Sequence, residues 1–122
     1  FGGCHGGPDR KYKVVEQATA QIVAVKHPVL KGLRDYKINE EFYYTLKLSK
    51  SETPVTPLIR VTIDGKDHTV GWAWDRPGGG RSFGYSGGHF HENWRREEYR
   101  RLLTQAVLWT VKVRCPDELP LK

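Results

Sequence analysis

Only two cysteines, Cys4 and Cys115, occur in the 122 residues, near opposite ends and without a Cys-x-x-Cys spacing. Two cysteines cannot make a zinc site by themselves, and both are read as free thiols, which leaves the redox compartment, cytoplasmic or periplasmic, open. No apolar run approaches the ~20 residues of a membrane span, and no signal-peptide pattern is visible. Internal repeats and low-complexity segments are also missing. There is no opening methionine. The chain starts inside Phe1-Gly-Gly-Cys-His-Gly-Gly, and the expectation is that the true N-terminus lies upstream.

What is present fits one globular domain or part of one. Hydrophobic residues make up 38% of the chain and aromatics 11%, enough for a single core and too many for a disordered segment. Lys and Arg outnumber Asp and Glu by 20 to 14, so the net charge is +6. The densest basic cluster, Arg95, Arg96, Arg100 and Arg101, is interrupted by Glu97 and Glu98. That pattern predicts a solvated helix face, and nucleic acid is not the expected partner.

Patterning predicts mostly strands followed by one helix. Residues 1–8 read as a glycine-rich loop, 19–26 as a strand ended by His27-Pro28, and 29–33 as a turn closing at Gly32. His27 is expected to stabilise that turn. Phe42, Tyr44, Leu46 and Leu48 alternate along a strand over 40–49, after a brief extended piece at 37–39. Asp64-Gly65 between the β-rich runs 58–63 and 69–74 is a strong hairpin signal, with His68 read as surface. Pro77 and Gly78 to Gly80 make a second reversal, with Asp75 and Arg76 pairing beside it, before a strand over 81–86. From Trp94 or Arg95 to Lys112 the period becomes helical. Tyr99, Leu102, Leu103, Ala106, Val107 and Thr110 form one stripe, and Asn93 is the expected N-cap. Trp72, Trp74 and Trp94 are read as core. Residues 116–122 read as a tail.

The polar loop between the last strand and the helix carries His89, His91 and Glu92 at a strand's carboxyl end, where α/β sheets bind ligands. An imidazole titrating near neutrality suits general acid/base work. The same three side chains also form a divalent-metal set, although no cofactor is expected. His5 sits among Gly2, Gly3, Gly6 and Gly7, whose backbone permits close approach to a ligand. Glu41 and Tyr43 put a carboxylate and a phenol on one strand face, a combination suited to sugar hydroxyls and C–H faces.

An ordered series of motifs adds a resemblance. His27-Pro28-Val-Leu-Lys-Gly32-Leu33, Glu41-Phe-Tyr43-Tyr44, Val70-Gly-Trp72, Gly79-Gly80-Arg81-Ser-Phe83, Gly88-His89 and a helix ending in Val107-Leu-Trp109 span roughly residues 25–110. The series resembles the trehalose-utilisation (ThuA-like) family, whose fold is similar to the class I glutamine amidotransferases. It departs from the pattern at Glu40, where the family has Asp, and at the extra His91.

The resemblance implies an α/β, three-layer flavodoxin-like fold of which residues 1–115 form the C-terminal part, with a β-hairpin and a packed last helix. The N-terminal part would be absent from this chain. It implies a domain that binds or acts on a sugar or sugar derivative in carbohydrate catabolism, with His89 as the acid/base group and His5, Glu41, Tyr43, His91 and Glu92 around the substrate. A hydrolase and an isomerase both fit. Glutaminase activity is not expected, since Cys4 lacks the strand-turn-helix setting of a nucleophile elbow. The alternatives are a non-catalytic carbohydrate-binding or interaction module and, through exposed strand edges, a homo-oligomer.

Overall fold

The computed structural model describes residues 1–117, which form seven strands and one α-helix. In chain order these are β1 (Gly3–Cys4), β2 (Lys11–Ile22), β3 (Tyr36–Tyr44), β4 (Lys47–Leu48), β5 (Thr56–Ile63), β6 (Lys66–Asp75), β7 (Arg81–Tyr85) and α1 (Glu97–Thr110). Short 3-10 turns cover Pro28–Leu30 and His91–Arg95. Five strands make one sheet in the order β3-β2-β5-β6-β7, and β1 pairs with β4 in a separate ribbon.

Every strand pair is antiparallel. The mixed α/β class therefore holds, but the described residues do not form the parallel, helix-flanked sheet of a flavodoxin-like fold. The connections explain why. A parallel pair needs a crossover of about a dozen residues or more, whereas β5–β6 and β6–β7 are joined by tight reversals. Asp64 and Gly65, at φ 52° and 75°, give the first turn its two positive angles, as a two-residue hairpin requires. Gly78 and Gly79, at 85° and 88°, give the second.

The sheet curls. β2 meets β5 only at Gln21 and Ile22, opposite Arg60 and Ile59. At the far end, Ser86 donates its N–H to Val70 (2.8 Å) and accepts one from Tyr43 (3.4 Å), so the free edge of β3 returns beside the end of β7. Tyr36, Ile38, Phe42 and Tyr44 of β3 face a core shared with Leu58, Val61, Val70 and the inner stripe of α1. That stripe is Tyr99, Leu102, Gln105, Ala106 and Trp109. Val107, expected within it, is exposed. Gln105 donates its side-chain amide to the Val29 carbonyl (2.8 Å), which anchors the Pro28–Leu30 turn. β6 is covered on both faces: Ala73 joins the α1 core, while Trp72 lies under Phe1, Gly3 and Leu48.

Tertiary pairing moved several boundaries. β2 begins at Lys11, not residue 19, because β3 pairs along it from Tyr44 to Tyr36. It stops at Ile22, whose N–H goes to the Asp35 carboxylate (2.7 Å). β3 ends at Tyr44 because Thr45 takes a positive φ of 61°, so Leu46 and Leu48 leave the strand. α1 begins at Glu97 after Arg96, and Asn93 is not its cap but is buried against β3. Trp94 is 48% exposed and so is not core. Asp75 pairs with Arg81 rather than Arg76, at 3.2 Å. His68 lies edge-on to Tyr44 at 4.8 Å instead of on open surface. Of the expected tail, residues 118–122 fall outside the described residues, and Asp117 pairs with Lys31.

Candidate active site

Successive strand residues face opposite sides of a sheet, so Glu40 and Glu41 cannot both reach solvent on the same face. Glu40 points inward and is fully buried. Its Oε1 accepts the N–H groups of Glu41 (2.9 Å), His89 (3.0 Å) and Phe90 (3.4 Å). Its Oε2 accepts the Asn93 amide (3.0 Å), which also donates to the Asn39 carbonyl (2.9 Å). A buried carboxylate is tolerated only with donors of this kind, and here they pin the loop after β7 to the free edge of β3.

Pinning the loop sets His89 over Glu41. Nδ1 lies 3.4 Å from Glu41 Oε1, with the carboxylate side chain 11% exposed and the imidazole 56% exposed. A carboxylate at Nδ1 favours the proton there and leaves Nε2 as the ring's acceptor. Tyr43 lies two residues further on the same face. Hydrogen bonding and charge from Glu41 raise the pKa of its phenol. His5 stacks edge-on against Tyr43 at 4.9 Å, and its Nε2 sits 3.0 Å from the Lys11 carbonyl oxygen. Tyr12, the register partner of Tyr43, lies 5.8 Å from it, ring to ring. This arrangement can hold a proton at Nδ1, exchange one at Nε2 and offer a phenol and a second imidazole to a polar substrate.

Four expected residues, His5, Glu41, Tyr43 and His89, thus meet on one surface. His91 and Glu92 are both exposed on the His91–Arg95 turn, and Glu92 also lines a cavity beside this surface. Among the described residues no group of three or more His, Cys, Asp and Glu is placed to hold a metal ion. The glycines around His5 also serve a different end. A Cβ on Gly3 would meet Trp72 at 3.0 Å, and one on Gly2 would meet Trp74 at 3.1 Å, so the close approach is to indoles. His27 behaves as expected: Nδ1 accepts the Val29 N–H (3.3 Å), and the ring lies edge-on to Trp109.

Two cavities border the loop and helix that follow β7. One of about 450 Å³ is lined by Val14, Glu16, Lys37, Asn39, Phe90 and Glu92 among others. Val14 is the cross-strand partner of Glu41, and paired residues share a face, so this cavity adjoins the His89–Glu41 pair. A larger one, about 620 Å³, lies between α1 and β7 with Phe83, Leu103 and Val107 in its walls. It is the roomier but mainly apolar, and it holds no acid/base pair; chemistry follows the groups rather than the volume. Both cysteines are free, Cys4 exposed and Cys115 buried. No described helix is long and apolar enough to cross a membrane.

Sequence reasoning noted Glu40 only as a departure from a pattern and read Asn93 as a cap. The available signal was the Glu-Glu pair itself, because alternation forces one of two adjacent strand carboxylates into the core. The cavity walls at Lys37 and Asn39 carried no such signal.

Comparison with known proteins agrees with the motif series. No curated protein and no solved structure matches the chain. A family model described as trehalose utilisation matches residues 2–110, nearly the whole described chain. The chain belongs to the trehalose-utilisation (ThuA) family, a carbohydrate-related family.

Proposed function

We propose that this domain binds and acts on a sugar or sugar derivative, with His89 as the general acid/base. Glu41 orients the imidazole, and Tyr43 and His5 take substrate hydroxyls. The observation that carries the reading is the 3.4 Å contact between His89 Nδ1 and the largely buried Glu41 carboxylate. A hydrolase and an isomerase both need such a proton-transfer group. The three-layer, amidotransferase-like arrangement is proposed for the family domain as a whole, supported by the cover that β6 receives on both faces. A glutaminase nucleophile is not proposed, because Cys4 lies in the two-residue strand β1 rather than at an elbow.

Substituting the base tests this directly. His89→Ala should lower turnover of a sugar substrate by about 10²–10⁴-fold while affinity survives. Unchanged turnover would refute the assignment.

A second reading, a non-catalytic carbohydrate-binding module, is favoured by the exposed Tyr12–Tyr43 pair, which can serve as a platform for a pyranose ring. It requires no turnover at any pH and an affinity set by the two tyrosines. Self-association through β7, the edge strand beside the apolar cavity, is a further proposal about partners, and sedimentation tests it. Nucleic acid is the least favoured partner: Arg101 is bonded to Glu97 (3.1 Å) and Arg96 lies 3.8 Å from Glu98. A steep loss of affinity with salt would reinstate it.

A further inference from the structure

We propose that the cavity beside the His89–Glu41 pair is the sugar-binding pocket of this domain, and that it selects a neutral sugar over its phosphate ester. The inference rests on the proposed function above and goes further by naming the pocket and the charge state of its ligand.

Three features support it. The first is continuity. Antiparallel register puts Tyr12 with Tyr43, and Val14 with Glu41, on one face of the β2–β3 ribbon, and Asn39 lies two residues further along that face. The cavity wall at Val14, Glu16 and Asn39 therefore continues the surface that carries Glu41 and Tyr43. The irregular register between Val15 and Ala18, with Gln17 at φ 51°, reshapes the ribbon at this point, a common device beside sites.

The second is chemistry. About 450 Å³ suits a small ligand, and the walls mix polar groups with apolar ones. The side chain of Asn39 is half committed. Its Oδ1 accepts from the Gln17 backbone N–H (2.7 Å) and side-chain amide (3.1 Å), which leaves Nδ2 to donate. Glu16 and Glu92 accept hydroxyl protons, Lys37 donates, and Phe90 offers a ring for C–H packing.

The third is charge. The chain as a whole is +6. Around this cavity that excess disappears: Glu16 and Glu92 in the lining balance Lys37 and Arg96, and Glu41 adjoins it. Arg96 is itself offset by Glu98 at 3.8 Å. A phosphate would find that lining balanced, so no net attraction would offset the cost of desolvating its charge. A neutral polyol would find donors and acceptors without that cost.

Isothermal titration calorimetry on the full chain, with trehalose and trehalose 6-phosphate as probes, decides the matter. Wild type should bind trehalose at least about tenfold more tightly than the phosphate. Phe90→Leu keeps bulk but removes the ring, and should weaken trehalose about fivefold. Glu16→Gln with Glu92→Gln should close most of the gap between the two ligands. Equal affinities, a preference for the phosphate, or no binding of either sugar at millimolar concentration would overturn the proposal. So would unchanged affinities in both variants. Near-ultraviolet circular dichroism confirms that the variants keep the fold. Loss of turnover in His89→Ala with unchanged affinities in the cavity variants would keep the acid/base reading and discard this pocket. The expected affinity changes without any turnover would keep the pocket and discard catalysis.

Discussion

Replacing Glu40 with glutamine exchanges one oxygen for an amide nitrogen, and the surroundings show where that must hurt. One carboxylate oxygen receives three backbone N–H groups, from Glu41, His89 and Phe90; the other receives the Asn93 amide. Glutamine can present its carbonyl to the three, but its own NH2 then meets the Asn93 NH2. Turning Asn93 over relieves that conflict only by aiming its oxygen at the Asn39 carbonyl, to which Nδ2 now donates. At least one buried donor or acceptor is left unpaired, at a cost of about 1–3 kcal/mol. Alanine strands all four donors and leaves a void, which raises the loss to about 4 kcal/mol. Against a typical total of about 5–15 kcal/mol, the alanine variant is close to unfolding and the glutamine variant is not. The assay is urea denaturation together with amide hydrogen exchange. Glu40→Gln should lower the midpoint and accelerate exchange at His89 and Phe90 by about tenfold or more, while the β5–β6 hairpin stays protected. On the acid/base role proposed for His89, kcat should fall more than KM rises. If the His89 and Phe90 amides stay as protected as in wild type, the carboxylate does not hold the loop and the reasoning fails.

Other substitutions separate steric from backbone causes. A Cβ on Gly84 would lie 2.1 Å from the Trp72 ring, so Gly84→Ala should cost about 1–3 kcal/mol and alter the near-ultraviolet circular dichroism of the tryptophans. Gly65 has open space around a φ of +75°, so Gly65→Ala should cost about 1 kcal/mol through the backbone alone and leave that spectrum intact. Burial pushes the His27 pKa down, so the unfolded chain binds the proton more readily than the folded one. The stability that His27 contributes is present above its unfolded value of about 6.5 and is lost as pH falls below it. Asparagine keeps the cap to Val29 but does not titrate; urea midpoints at pH 8 and pH 5.5 should therefore differ less in His27→Asn than in wild type.

The local signals in the chain were those that depend on near neighbours. Asp64-Gly65 announces a hairpin because only certain residues take two positive φ angles in succession. The alternation through Phe42 and Tyr44 and the 3.6-residue stripe from Tyr99 to Ala106 announce a strand and a helix, because burial of one face repeats with the element's period. These features, with the motif series, sufficed for the α/β class, the family and the positions of His89 and Glu41. Pairing between distant segments decided the rest. The register of β2 against β3 extended one strand, Thr45 cut another short, and the loop held by Glu40 brought His89 to the surface that carries His5, Tyr43 and Glu41. Tight turns fixed an antiparallel sheet where the resemblance implied flavodoxin-like layers. Glu40 shows the division most clearly: sequence alternation turns it inward, but only the folded loop, with three backbone N–H groups and Asn93, supplies the partners that make a buried carboxylate stable and a histidine well placed.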